Sequence, residues 1–71
     1  MNEKMLKAIM KEQGFTQEML AERVGVDRST LNRKIRGHHK GFSLQEACQV
    51  GYALQMTRGQ MTEVFFANFD T

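Results

Sequence analysis

At 71 residues the chain has room for one small domain and none for a separate catalytic or ligand-sensing module. It is 41% hydrophobic, has no proline and one cysteine, Cys48, and carries a net charge of +2. That composition points to an all-α domain with a thin core, excludes an internal disulfide framework and suits a reducing cytosol. No apolar run approaches the ~20 residues of a bilayer span, and the amphipathic, acid-containing start is unlike a secretory or transit leader, so no membrane role is expected.

The first helix is expected over about 3–13, with Asn2 as N-cap and Met5, Leu6, Ile9 and Met10 as its apolar stripe. Gly14 ends it. Thr16 caps a second helix over about 17–24, and Phe15 is placed to pack beside Met19 or Leu20 as a hydrophobic staple. Leu20 and Val24 share a face with Ala21, whose small side chain allows close approach of another helix. Gly25 supplies the bend.

Asp27 is positioned to cap a third helix over about 28–36, which ends at Gly37. Leu31 and Ile35 would face the core. At about 100° per residue, Ser29, Asn32, Arg33 and Arg36 point largely the other way, while Arg28 projects from the first turn. The loop His38-His39-Lys40-Gly41-Phe42 follows; two histidines without nearby Cys or Asp make a poor metal site, and no metal is expected.

Ser43-Leu44-Gln45-Glu46 is a capping box opening a fourth helix. Leu44, Ala47, Cys48 and Gly51 are expected to line its inner face, with Tyr52 and Leu54 continuing the buried side and Cys48 packing as a small apolar residue. Thr57 to Gln60 repeats the capping pattern and starts a short fifth helix, with Met61, Val64 and Phe65 turned inward. The tail over 64–71 is unusually apolar. At least one of Phe65, Phe66 and Phe69 is a candidate for a self-association surface, the alternative being a tail folded back over the core. With no repeats or linker, residues 1–71 read as a single domain.

Charge is unevenly spread. Residues 1–22 carry −1, residues 23–40 carry +5, and residues 41–71 carry −2. The cationic block holds Arg23, Arg28, Arg33, Lys34, Arg36 and Lys40 against Asp27 alone, which is the pattern of a polyanion footprint rather than a solvated face of mixed sign. No phosphate loop, paired-carboxylate pocket, nucleophile triad or metal-ligand spacing is present, so neither an enzyme nor a cofactor is expected.

Residues 16–37 resemble the helix-turn-helix of the phage Cro and lambda-repressor-like family. The signs are Thr16-Gln17, Leu20-Ala21, Val24-Gly25-Val26, and Arg28-Ser29-Thr30-Leu31 through Gly37. The resemblance extends more loosely to the remaining helices and implies the compact five-helix domain of that family. One departure is Lys34, where many relatives carry an apolar residue; Ile35 is expected to take the core role.

The resemblance implies base reading by Arg28, Ser29 and Arg33, with Asn32 as a further candidate. Arginine matches guanine, and asparagine adenine, through paired hydrogen bonds. Gln17, at the start of the second helix, is placed to hold a phosphate, and Thr30, Lys34, Arg36 and Lys40 are the remaining backbone candidates. The function implied is a sequence-specific DNA-binding transcriptional regulator, a Cro-type repressor of phage or prophage that binds operator DNA as a homodimer. The alternative is a protein-binding regulator that uses the same fold to engage another phage repressor.

Overall fold

The computed structural model describes residues 1–37 and 41–66. Among these the chain forms five helices and no strand: α1 (Glu3–Gln13), α2 (Gln17–Val24), α3 (Arg28–Ile35), α4 (Leu44–Ala53) and α5 (Arg58–Phe65). Each begins at a side-chain cap. Asn2 Oδ1 accepts from the Met5 backbone N–H at 3.1 Å, and Thr16 Oγ1 accepts from that of Met19 at 3.1 Å. Asp27 caps α3, and full capping boxes open α4 (Ser43 with Glu46) and α5 (Thr57 with Gln60). These caps satisfy N–H groups that a helix start leaves without an internal partner.

The helix ends are as specific as the starts. The Gly14 and Phe15 N–H groups donate back to the Lys11 and Met10 carbonyls at 3.1 and 2.8 Å, which closes α1 and aims Phe15 at the core. At the end of α2, Gly25 has φ +86°, a left-handed conformation that a side chain resists. The Gly25 and Val26 N–H groups both reach the Ala21 carbonyl, at 2.8 and 3.0 Å. Three residues later α3 begins, so the bend between the two helices is short and held by backbone bonds.

The core is contiguous. Leu6, Ile9 and Met10 from α1 meet Leu20, Ala21 and Val24 from α2, Leu31 and Ile35 from α3, Val50 and Leu54 around α4, and Val64 from α5. Helix α2 packs against both α3 and α4, and α1 packs against α5. The Asn2 N–H donates to the Val64 carbonyl at 2.9 Å and ties the start of the chain to α5. Gly51 is buried in α4, and a methyl group added there would collide with the sulfur of Met61; the missing side chain leaves room for the Met61 thioether against α4.

Helix α4 departs from expectation. Its buried stripe is Ala47, Val50, Gly51 and Leu54, at spacings of three, one and three. Leu44 and Tyr52 are 69% and 90% exposed, and Cys48 is exposed as well. Residues 44, 48 and 52 also share a face, but it is the outer one. The helix has two apolar stripes, and the one closing on α2 is the one carrying Val50. Ile35 takes the core position on α3, at 1% exposure. Helix α3 itself ends one residue sooner than expected, with Arg36 as C-cap.

Candidate nucleic-acid interface

Helix α3 is divided lengthwise. Leu31 and Ile35 are buried against α2 and the core, while Arg28, Ser29, Arg33 and Arg36 are exposed and Asn32 is half-buried. Among the described residues, Arg28, Arg33 and Arg36 make no salt bridge, so none of the three is neutralised by a paired carboxylate.

The short bend places the N-terminal end of α3 beside that of α2. Thr16, Gln17, Glu18 and Arg28 line one open hollow there, and Gln17, Arg28, Ser29 and Asn32 line the next. Four of the predicted contact residues are thereby gathered into one cluster, although Gln17 lies eleven positions before Arg28. The N-terminus of α2 carries partial positive charge and Arg28 adds a guanidinium, so the hollow bounded by Gln17, Arg28, Ser29 and Asn32 is suited to an anion, whereas the N-terminus of α3 is already met by the Asp27 carboxylate. Thr16 and Glu18 line the first hollow and were missed by the sequence reading. Their adjacency to Gln17 at a helix start was the available signal.

Asp27 organises the first turn of α3. Its carboxylate accepts the Ser29 N–H at 3.2 Å and also the hydroxyls of Ser29 and Thr30. The Ser29 hydroxyl, then that of Thr30, hold the Asp27 carboxyl down at a pKa of about 2. With their hydrogens committed to Asp27, Ser29 and Thr30 keep only acceptor lone pairs for any other partner.

Lys34 is placed differently from the arginines. Its side chain is 19% exposed and its ammonium lies 3.0 Å from Glu46 Oε1 in α4. The same oxygen accepts the Ser43 N–H at 3.0 Å. The Ser43 N–H, then Lys34, hold the Glu46 carboxyl below the usual range. Arg23 lies apart, with its guanidinium over the Phe15 ring at 5.4 Å from the centroid.

Phe65 packs edge-on to Phe42 at 5.8 Å between centroids and leans on Phe66 at 6.2 Å; both residues of this pair are half-buried. Of the remaining sequence candidates, Lys40 and Phe69 lie outside the described residues, as do His38 and His39. Among the described residues no group of three or more His, Cys, Asp or Glu is arranged to hold a metal ion, and no helix is long and apolar enough to cross a membrane.

A family model described as helix-turn-helix matches residues 6–50, from Leu6 in α1 to Val50 in α4. No curated protein and no solved structure matches the chain.

Proposed function

The chain belongs to the helix-turn-helix family of the lambda-repressor and Cro type, whose members are DNA-binding transcription regulators, and from that premise we propose that it is a Cro-type repressor reading a specific operator. The observation that carries this reading is the split of α3, with Leu31 and Ile35 sealed beneath and Arg28, Arg33 and Arg36 exposed above, without a salt bridge among the described residues. A helix held in this way can enter the major groove without giving up its core contacts.

In this reading Arg28, Ser29, Asn32 and Arg33 address base edges, with arginine taking guanine O6 and N7 and Asn32 taking adenine. Gln17 and Arg36 meet phosphates and fix register, joined by Lys40 further along the chain and by Thr30 once its hydroxyl hydrogen turns from Asp27 to the phosphate. Lys34 joins them by sharing its ammonium between Glu46 and the backbone. Repression follows from occupancy of the operator, which excludes polymerase from the same DNA. The protein acts in the bacterial cytoplasm, is of phage or prophage origin, and binds as a dimer.

The dimer places one protomer on each half of a two-fold site, with half-site centres about one helical turn, ~34 Å, apart. The domain's extents of 33 × 26 × 20 Å allow two copies to sit side by side at that spacing. Selection of bound duplexes from a random pool tests the reading. Enrichment of one two-fold symmetric sequence is the expected result. Failure to enrich any sequence, together with negligible binding to random duplex at low salt, would favour a protein partner instead.

A further inference from the structure

Helix α4 carries a second apolar stripe that the fold leaves outside. Leu44, Cys48 and Tyr52 recur every four residues, at 69% exposure for Leu44 and 90% for Tyr52, with Cys48 exposed between them. Beside the stripe lies an open, mainly apolar hollow of about 510 Å³, lined by Arg23, Gln45, Cys48, Gln49, Tyr52 and Ala53. From 44 to 55 the only charged residue is Glu46, and it is turned inward onto Lys34. In a chain that is 25% charged, an outer helix face bearing leucine, cysteine, tyrosine and glutamines is an exception.

We propose that this outer face of α4 is the contact between two copies of the chain, crossing antiparallel with Cys48 at the two-fold axis. The proposal deepens the dimeric regulator described above and rests on that reading for the number of copies. Its warrant is self-complementarity. The stripe is centred on Cys48, with Leu44 four residues before and Tyr52 four residues after. A two-fold axis through Cys48 sets the Leu44 of each copy against the Tyr52 of the other, in the hollow of that copy. Each protomer thus supplies one projecting side chain and one recess, which is the requirement for an isologous interface.

Charge argues for the same occupant. The face holds one charge, Arg23, whose guanidinium lies over the Phe15 ring; a duplex needs several cations and a charged peptide several of the opposite sign, whereas a face this sparsely charged meets its own copy with little repulsion. The contact is small. Two tyrosines contribute about 300–500 Å² of buried surface, and the helical stripe as a whole falls below the ~1,200 Å² of a stable complex. It is therefore a weak contact, reinforced when two copies are held on neighbouring half-sites.

Cys48 provides the probe. Helices packed 8–10 Å apart bring facing residues at a two-fold axis within the reach of a disulfide. The full chain is treated with excess copper(II)–phenanthroline, two equivalents of which accept one electron each as two thiols lose their protons and join. The reference is a Cys48→Ser, Glu63→Cys variant, whose only thiol is exposed on α5 and meets its twin by collision alone. Cys48 is expected to form covalent dimer at least about tenfold faster than the reference, because the thiols are pre-associated. Tyr52→Glu should remove that advantage while leaving helicity and binding to random duplex intact. Equal rates for Cys48 and the reference would overturn the proposal, and so would a Tyr52→Glu chain that crosslinks as fast as the parent. The two readings fail separately: loss of DNA binding with rapid Cys48 crosslinking sinks the regulator and supports the contact, whereas DNA binding with collisional crosslinking does the reverse.

Discussion

Lys34 Nζ and Glu46 Oε1 lie 3.0 Å apart, and the pair joins the cationic helix α3 to the opening turn of α4. The carboxylate serves two partners at once, the ammonium and the Ser43 N–H. Glu46→Gln keeps a carbonyl oxygen for Ser43 but removes the negative charge that holds Lys34. The ammonium is then released towards the phosphates. The variant is expected to bind random duplex severalfold more tightly, with a salt dependence steeper by less than about one ion, because Lys34 already shares part of its charge with the phosphates in the proposed complex. Its stability should fall by no more than about 1 kcal/mol, since the pair is partly solvated. Fluorescence anisotropy across a salt series reads the first effect and thermal melting the second.

The acid sensitivity of the fold is expected to centre on Asp27. Its carboxyl titrates at about 2 in the folded chain, against an ordinary 3.8, because the Ser29 and Thr30 hydroxyls and N–H groups stabilise the anion. A depressed carboxyl contributes stability that is fully present above its unfolded pKa and is lost as pH falls through the folded one. The window is therefore from about pH 4 down to about pH 2. Asp27→Asn still caps α3 but has no charge to lose. It should melt at a lower temperature than the parent at neutral pH, with the two melting curves converging across that window. Parallel curves from pH 7 to pH 2 would show that Asp27 is not the group responsible.

A third prediction concerns the end of α4. Gln55 has φ +53°, the only positive φ at a residue other than glycine among those described, and the turn it makes lets the Met56 N–H reach the Gly51 carbonyl at 2.9 Å. A side chain in that conformation costs roughly 1–2 kcal/mol. Gln55→Gly should recover about 1 kcal/mol of it, since glycine also gains entropy in the unfolded chain. For a domain of this size that corresponds to a rise in melting temperature of about 4–8 °C. Gln55→Val, branched at Cβ, should move it the other way.

Much of the domain could be read locally, and the parts that could not share one cause. Caps and glycines are adjacent to what they terminate, so Asn2, Thr16, Asp27, Ser43 and Thr57 each marked a helix start that the structure bears out. Leu31 and Ile35 stood out because every other residue around that helix is polar or charged. Helix α4 gave no such contrast. Its residues 44, 48 and 52 are as plausible a core stripe as 47, 50, 51 and 54, and only the position of α2 decides between them. Likewise the cation density of α3 was visible, but the capture of Lys34 by a carboxylate twelve positions later was not. Pairing over that distance depends on how helices stack rather than on spacing within one.

The same stacking buries Ala21 on the helix that packs against both α3 and α4. It is 3% exposed on α2, and its carbonyl accepts both the Gly25 and Val26 N–H groups. A larger side chain there must push α3 away from α2. Ala21→Leu is expected to cost about 1–3 kcal/mol of stability. It should also weaken operator binding by more than its effect on the folded fraction accounts for, because α3 would be tilted relative to the Gln17 end of α2. Binding measured well below the melting temperature separates the two contributions.

Arg33 and Arg36 offer the sharpest comparison on the proposed DNA face. Both are exposed and neither has a salt-bridge partner among the described residues, yet they stand at different points on the helix, Arg33 in the last turn and Arg36 at its C-cap. If Arg33 pairs with guanine, Arg33→Ala should cost about 1–3 kcal/mol on the selected operator and relax preference at one base position, with little change on random duplex. Arg36→Ala should instead weaken binding to every duplex alike and make the salt dependence shallower by about one ion. Competition titrations against operator variants substituted one base pair at a time distinguish the two patterns. A uniform loss for Arg33→Ala would move Arg33 from base reading to the phosphate contacts and leave Arg28, Ser29 and Asn32 as the residues that set specificity.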